Sequence, residues 1–167
     1  MNSDQLFNFI VDKNNKKVTV ERSFNANRDL LWAAWTEPDI LDQWWAPKPW
    51  KSRTKSMNFI EGGQRLYAMV GPEEEEHWAL ADYTSISPKT NFKFLDAFCD
   101  NQGNINADLP RSDWNVDFNE SNSATVVFVT ILHRDLADLE KIIEMGFKEG
   151  FTIALEGLDE ILTTLRF

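Results

Sequence analysis

From Asp135 to Phe167 one apolar stripe recurs at helical spacing, directly after a long block of strand-like sequence. Leu136, Leu139, Ile143, Gly146, Phe147, Gly150, Ala154, Leu158, Ile161 and Leu165 share one face at a period of about 3.6 residues. Asp138, Glu140, Lys141, Glu144, Lys148, Glu149 and Glu160 occupy the opposite face. The pattern predicts one helix over most of Leu136 to Leu165, which must bury its stripe on something upstream. Gly146, Gly150 and Gly157 lie near that stripe, and each glycine costs a helix about 1 kcal/mol against alanine. Their placement implies close approach of a sheet, or free volume beside the helix. Gly150, near the centre, is expected to face the sheet, so that a leucine there overpacks.

The upstream block supplies the sheet. Met57 to Ile60 and Leu66 to Val70 flank Glu61-Gly62-Gly63 and read as a hairpin. His77 to Ile86, Asn91 to Phe98, Ser112 to Phe118 and Thr125 to Leu132 are further strands, separated by turn residues such as Asp100-Asn101-Gln102-Gly103. Asn104 to Arg111 reads as an irregular loop. At the N-terminus, Leu6 to Val11 and Val18 to Phe24 form another hairpin. Asn27 then caps a helix carrying Leu31, Trp32, Ala34 and Trp35, and Pro38 starts a short second helix with Ile40, Leu41, Trp44 and Trp45. Strands grouped together with helices at the ends define an α+β chain. The expected architecture is a single domain over 1–167: a curved antiparallel sheet wrapped around a long C-terminal helix.

Charge and motif content narrow the function. The chain has 27 acidic and 17 basic residues, a net charge of −10, and such a surface repels phosphates. Nucleic acid is therefore not expected as a partner. Met1 to Asp4 carry no basic leader and Asn8 interrupts the apolar run, so no signal, membrane anchor or membrane insertion is expected. One cysteine, Cys99, fits a reducing, cytoplasmic setting. There is no phosphate loop, no dinucleotide fingerprint and no His-Glu-x-x-His. With two histidines, His77 and His133, no metal is expected, and no cofactor. Neither histidine stands in a nucleophile-elbow context, and no catalytic residue is assigned. Glu73 to Glu76 read as a solvated loop tip.

The positive signal is aromatic: 12 Phe and 7 Trp. Trp44 and Trp45 leave a short helix about 100° apart, so they cannot share one packing direction: either one packs inward while the other guards an opening, or both are wedged between helix and sheet. Three stretches also carry a resemblance. The first is Phe24-x-Ala26 with Leu31-Trp32-x-Ala34-Trp35-Thr36-x-Pro38-x-x-Leu41-x-x-Trp44-Trp45-x-Pro47. The second is Gly62-Gly63-x-x-x-Tyr67-x-Met69 with Trp78, Tyr83, Ile86-x-Pro88 and Phe98-x-Asp100-x-x-Gly103. The third is Gly150-Phe151-x-x-x-Leu155-x-x-Leu158-x-x-x-Leu162. Together they resemble the START-like (SRPBCC) superfamily, in the branch of heat-shock-protein-90 ATPase activator homologues, over about residues 16 to 166 and with an extra N-terminal strand. Asn27 departs from the usual proline.

The resemblance implies a helix-grip fold with an apolar cavity between sheet and helix, and members that bind lipids, sterols, hormones or polyketides. The namesake co-chaperone activity normally involves a further N-terminal domain, which a chain of this length lacks room for, so a chaperone is a doubtful partner. The expected function is non-covalent binding of a small, mostly apolar ligand. Trp44 and Trp45 are placed near the entrance, Trp78, Phe94, Trp114 and Phe128 on the sheet, and Phe147 and Phe151 on the long helix. Two alternatives stand beside it. One is an interaction module that dimerises or binds a chaperone. The other is a cyclase or hydrolase using pocket carboxylates such as Glu61, Asp82 or Asp96, which a desolvated carboxylate with a raised pKa would favour.

Overall fold

The structure is a computed structural model and describes residues 6–165; the leader reading at Met1 to Asp4 falls outside them. Eight strands form one antiparallel sheet: β1 (Phe7–Asp12), β2 (Lys17–Phe24), β3 (Lys51–Met57), β4 (Gln64–Val70), β5 (Glu76–Ser87), β6 (Asn91–Cys99), β7 (Ser112–Ser121) and β8 (Ala124–His133). Their spatial order is β1-β2-β8-β7-β6-β5-β4-β3. The β2–β8 pairing brings the N-terminal hairpin against the last strand, and every other neighbour is consecutive in sequence.

Two helices cross from β2 to β3: α1 (Arg28–Thr36) and α2 (Pro38–Leu41). Asn27 caps α1, its side chain accepting from the Leu30 N–H, which satisfies one of the helix's free donors. Leu30 to Thr36 are all buried. The Trp32 and Trp35 rings meet Phe92 and Phe118 edge-on at 5.3–6.2 Å, a favoured aromatic geometry. The second helix is shorter than the sequence implies. It ends at Leu41, and Trp44 and Trp45 sit on the turn that follows, still bonded back to the Leu41 carbonyl.

The C-terminal stripe corrects a sequence expectation. It is two helices, α3 (Leu136–Glu144) and α4 (Phe147–Leu162), not one. Gly146 separates them at φ +88°, a left-handed conformation that side chains disfavour. Helical periodicity survives such a break, so the stripe alone does not reveal it. A Cβ on Gly146 would meet nothing within 4 Å, so the cost of substitution is purely conformational. Gly146→Ala is expected to destabilise by about 1–2 kcal/mol, with Gly146→Asn milder; equal denaturation midpoints for wild type and both variants would contradict this.

Strand alternation divides the sheet into two faces. Val18, Val20 and Phe24 of β2, Tyr83 of β5, Phe92 and Phe94 of β6, Trp114, Val116 and Phe118 of β7, and Val127, Val129 and Ile131 of β8 join one core with Phe151, Ala154, Leu155, Leu158 and Leu162 of α4. This is the concave face. Arg22 lies on it, 4% exposed. It donates to the Leu155 carbonyl at 2.6 Å and lies 3.8 Å from Asp159, so one buried cation ties sheet to helix. The convex face carries a smaller cluster of Leu66, Leu80, Ala97, Trp78 and Cys99. The strand expected over Met57 to Ile60 is corrected: the partner of β4 is the polar edge strand β3 before it, and Phe59 lies beyond its end, packed on Trp32, Tyr83 and Phe92. Asn104 to Arg111 is irregular, apart from one bridge between Ile105 and Cys99.

Candidate functional site: an apolar cavity with one polar end

Between the concave face and the α3–α4 junction lies a cavity of about 250 Å³, just below the roughly 300–1,000 Å³ that sites for small ligands occupy. Its walls are Trp45 and Pro47 from the segment after α2, Tyr67 and Met69 from β4, Phe98 from β6, Trp114 from β7, Ile131 from β8, and Ile142, Met145, Gly146, Phe147, Gly150 and Phe151 from the helices. The rings interlock. Trp114 meets Phe147 and Phe151 edge-on at 5.9 and 5.5 Å, and Phe147 stacks on Phe151 at 5.3 Å.

The break at Gly146 helps make this space. It ends α3 before α4 begins and leaves Met145 and Gly146 on the cavity border rather than inside a continuous helix. Gly150 borders it too, and a Cβ there would meet only the Pro47 Cγ at 3.5 Å. The expectation that a leucine at Gly150 overpacks is therefore corrected: the position faces free volume beside the helix, the alternative to close approach of the sheet.

Trp45 is the aromatic hinge of the site. Its ring contacts Trp35, Trp44, Trp114 and Phe151 at 5.4–6.2 Å, and its Nε1–H donates to the Tyr67 hydroxyl at 2.9 Å. Behind Tyr67, the Arg65 guanidinium lies 3.9 Å from the ring centroid and donates to Asp42 and Ser52 at 3.1 and 2.8 Å. Burial raises the Tyr67 hydroxyl above its ordinary pKa, so it stays protonated.

One end of the cavity is polar. Asp96, Ser112 and His133 follow one another across β6, β7 and β8, at the same level of the sheet and on its concave face. The Asp96 carboxylate accepts from the Ser112 N–H at 2.6 Å and the Trp114 Nε1–H at 2.8 Å. Burial nevertheless pushes its pKa up to about 6 against those two hydrogen bonds. His133 is 6% exposed. Its Nδ1 lies 3.3 Å from the Lys16 carbonyl, and its Nε2 is buried without a partner. Burial lowers the His133 pKa. A carbonyl only accepts, so Nδ1 carries the proton and the neutral ring leaves an acceptor lone pair at Nε2.

Of the residues named from sequence, Trp45, Trp114, Phe147 and Phe151 present their rings at the cavity. Trp44 does not: it is 1% exposed, bonded to the Ala34 carbonyl at 2.9 Å and set 4.8 Å from Trp35. Phe94 stands one layer behind, stacked on Trp114 at 5.1 Å. Trp78 borders the cavity through its backbone strand while its ring lies in the convex cluster, between Arg53 and Lys55. Phe128 alternates with buried Val127 and Val129 and points to the convex side. Of the carboxylates considered, Asp96 is at the cavity. Glu61 accepts from the Ile86 N–H in an exposed loop, and Asp82 pairs with Arg111. Ser112, Tyr67 and His133 carry no site role in the sequence reading. Ser112 shares parity with Trp114 along β7, and His133 with Ile131 along β8.

A curved antiparallel sheet closed over a C-terminal helix, with a hollow between them, is the helix-grip architecture of START-like proteins. The family model described as Activator of Hsp90 ATPase homolog 1-like protein matches residues 25–163, and the chain belongs to that family. The match begins just after β2, so the N-terminal hairpin lies outside it. Among solved structures, protein Ms6760 from Mycobacterium smegmatis is 26% identical, with a TM-score of 0.87 over 96% of this chain and 98% of that one. A protein from Arthrobacter aurescens is 25% identical, with a TM-score of 0.89 over 95% and 92% of the two chains. The AHSA1 protein of Silicibacter pomeroyi, 22% identical with a TM-score of 0.70, covers 89% of this chain and 98% of its own and shares the fold. Among curated proteins none matches the chain. No helix among the described residues is long and apolar enough to cross a membrane.

Proposed function

We propose that the chain binds a small, mostly apolar molecule non-covalently in the cavity between sheet and α4. The observation that carries this reading is the cavity itself: about 250 Å³ walled by Trp45, Trp114, Phe147 and Phe151. Apolar surface transferred from water into such a space contributes roughly 25 cal/mol per Å². Naphthalene is a suitable first probe. Its addition is expected to shift the Trp45 indole N–H resonance saturably. Gly150→Leu is expected to abolish that shift by filling the space, with the denaturation midpoint held or raised. An unshifted Trp45 resonance in the wild type, or undiminished binding in the variant, would count against the cavity as the site.

A second reading, small-molecule catalysis, has one observation in its favour: Asp96 borders the cavity with a pKa raised to about 6. A carboxyl group so placed suits general acid or base work near neutrality. The row does not form a hydrolytic triad, because the serine stands between the acid and the histidine, and His133 Nδ1 faces a carbonyl. Turnover of a small ester or polyketide-like substrate that Asp96→Asn abolishes would favour this reading over simple binding.

A further inference from the structure

The Tyr67 hydroxyl has used its oxygen but not its proton. The oxygen accepts from the Trp45 Nε1–H at 2.9 Å, and among the described residues this is the hydroxyl's only hydrogen bond. Burial keeps the phenol protonated, so its O–H stands as a donor without an acceptor in the protein. Tyr67 is 5% exposed, and it lines the cavity together with Trp45. An unpaired donor in such a place is costly, and the space it borders is where an acceptor can enter. The donor is also held in position. Tyr67 lies in β4, paired with Thr54 of β3 and Ala79 of β5. The Arg65 guanidinium stands 3.9 Å from its ring centroid and is itself anchored to Asp42, Ser52 and Thr54. That cation favours release of the phenol proton, which strengthens the O–H as a donor. Ser112 brings a second hydroxyl to the cavity, but a serine can donate or accept. At Tyr67 the bond from Trp45 decides the polarity.

We infer that the ligand is an apolar molecule carrying a neutral carbonyl group, whose oxygen accepts from the Tyr67 hydroxyl in a chain of bonds running Trp45 N–H, Tyr67 O–H, ligand C=O. This inference rests on the ligand-binding reading and adds the chemistry of the ligand's head. Each bond in such a chain polarises the next, and the donor is already oriented, so little ordering cost falls on binding. A hydrocarbon fills the space but leaves the Tyr67 proton unpaired. A carboxylate is the poorer acceptor here, because Asp96 borders the same cavity and its charge reaches the Tyr67 hydroxyl.

The test titrates wild type and Tyr67→Phe at pH 7.5 with two probes of similar shape, 2-acetylnaphthalene and 2-ethylnaphthalene. Only the first carries a carbonyl. Tyr67→Phe keeps the ring and removes the hydroxyl, so it is expected to weaken 2-acetylnaphthalene at least fivefold and 2-ethylnaphthalene less than twofold. Any change in the seating of Trp45 acts on both probes and cancels in the comparison. NMR of the wild type covers the case in which the variant fails to fold. The chain has two tyrosines, Tyr67 and Tyr83, so isotopic labelling of the tyrosine Cζ gives two signals. The Tyr67 signal is expected to move downfield with 2-acetylnaphthalene and to stay within its free-state range with 2-ethylnaphthalene. Equal weakening of both probes, a carbonyl preference that survives Tyr67→Phe, or an identical Tyr67 Cζ response to both would overturn the inference while leaving the cavity as a binding site. Failure of both probes to bind the wild type would overturn the ligand-binding reading as well.

Discussion

Trp44→Ala is expected to lower stability by about 3–5 kcal/mol, the range for removing a large buried aromatic, while Trp45→Ala is expected to cost distinctly less and to weaken naphthalene binding at least tenfold. The two residues are neighbours in sequence with similar chemistry, so the contrast isolates their surroundings. Trp44 is 1% exposed, donates to the Ala34 carbonyl and packs on Trp35. Its Cβ lies 3.9 Å from where a Cβ on Gly157 would stand, so α4 closes directly over it. Truncation there leaves a void in a filled core and an unpaired carbonyl. Trp45 is half-buried and already borders empty space, so its removal enlarges a cavity instead of opening a new one. Denaturant unfolding and a naphthalene titration on both variants check the pair. Equal destabilisation by both, with binding intact, would mean that Trp45 is core like its neighbour.

Asp96→Asn is expected to steepen the loss of stability on acidification from pH 7 to pH 4 by about 2–3 kcal/mol. The sign follows from the two titratable groups at the polar end. Asp96 has a folded pKa raised from 3.8 to about 6, so the folded state binds the proton more readily than the unfolded state. Stability therefore rises from this group as pH falls through 6, by about 1.4 kcal/mol per pKa unit at most. His133 acts oppositely. Its folded pKa is depressed from 6.5 by burial, so the unfolded chain takes up a proton first and stability falls as pH drops below 6.5. In the wild type the two effects offset one another. Asp96→Asn removes the stabilising one and exposes the other, and His133→Phe should do the reverse. Urea unfolding of each protein across that pH range gives the slopes; parallel profiles for wild type and Asp96→Asn would show that the carboxyl group titrates as it does in water.

The family's presence and the order of elements were legible before any coordinates, because both rest on local patterns. Turn residues bounded the strands, Asn27 and Pro38 marked helix starts, and the apolar stripe required a surface to cover. The break in that stripe was not legible. Gly146 fits a continuous helical period, and only its left-handed backbone at φ +88° shows that α3 ends there. The site was legible in part. Aromatic content announced a ring-lined interior, and adjacency on a short helix implied different directions for Trp44 and Trp45. Which faced the hollow depended on α4, whose Gly157 passes over Trp44.

By itself, then, the sequence determined an α+β chain with a sheet-covering C-terminal segment, an acidic surface and an aromatic interior, since hydrophobic period, turn chemistry and charge are properties of neighbouring residues. Only the tertiary structure decided which strand faces turn inward. The side-chain period of a strand is two, so a shift of one residue exchanges the faces, and that parity put Phe128 outside and His133 inside. It also decided the polar end. Asp96, Ser112 and His133 are far apart along the chain and become neighbours only when β6, β7 and β8 pair in register. The shifted protonation of Asp96 and His133 comes from burial that no single stretch of sequence contains.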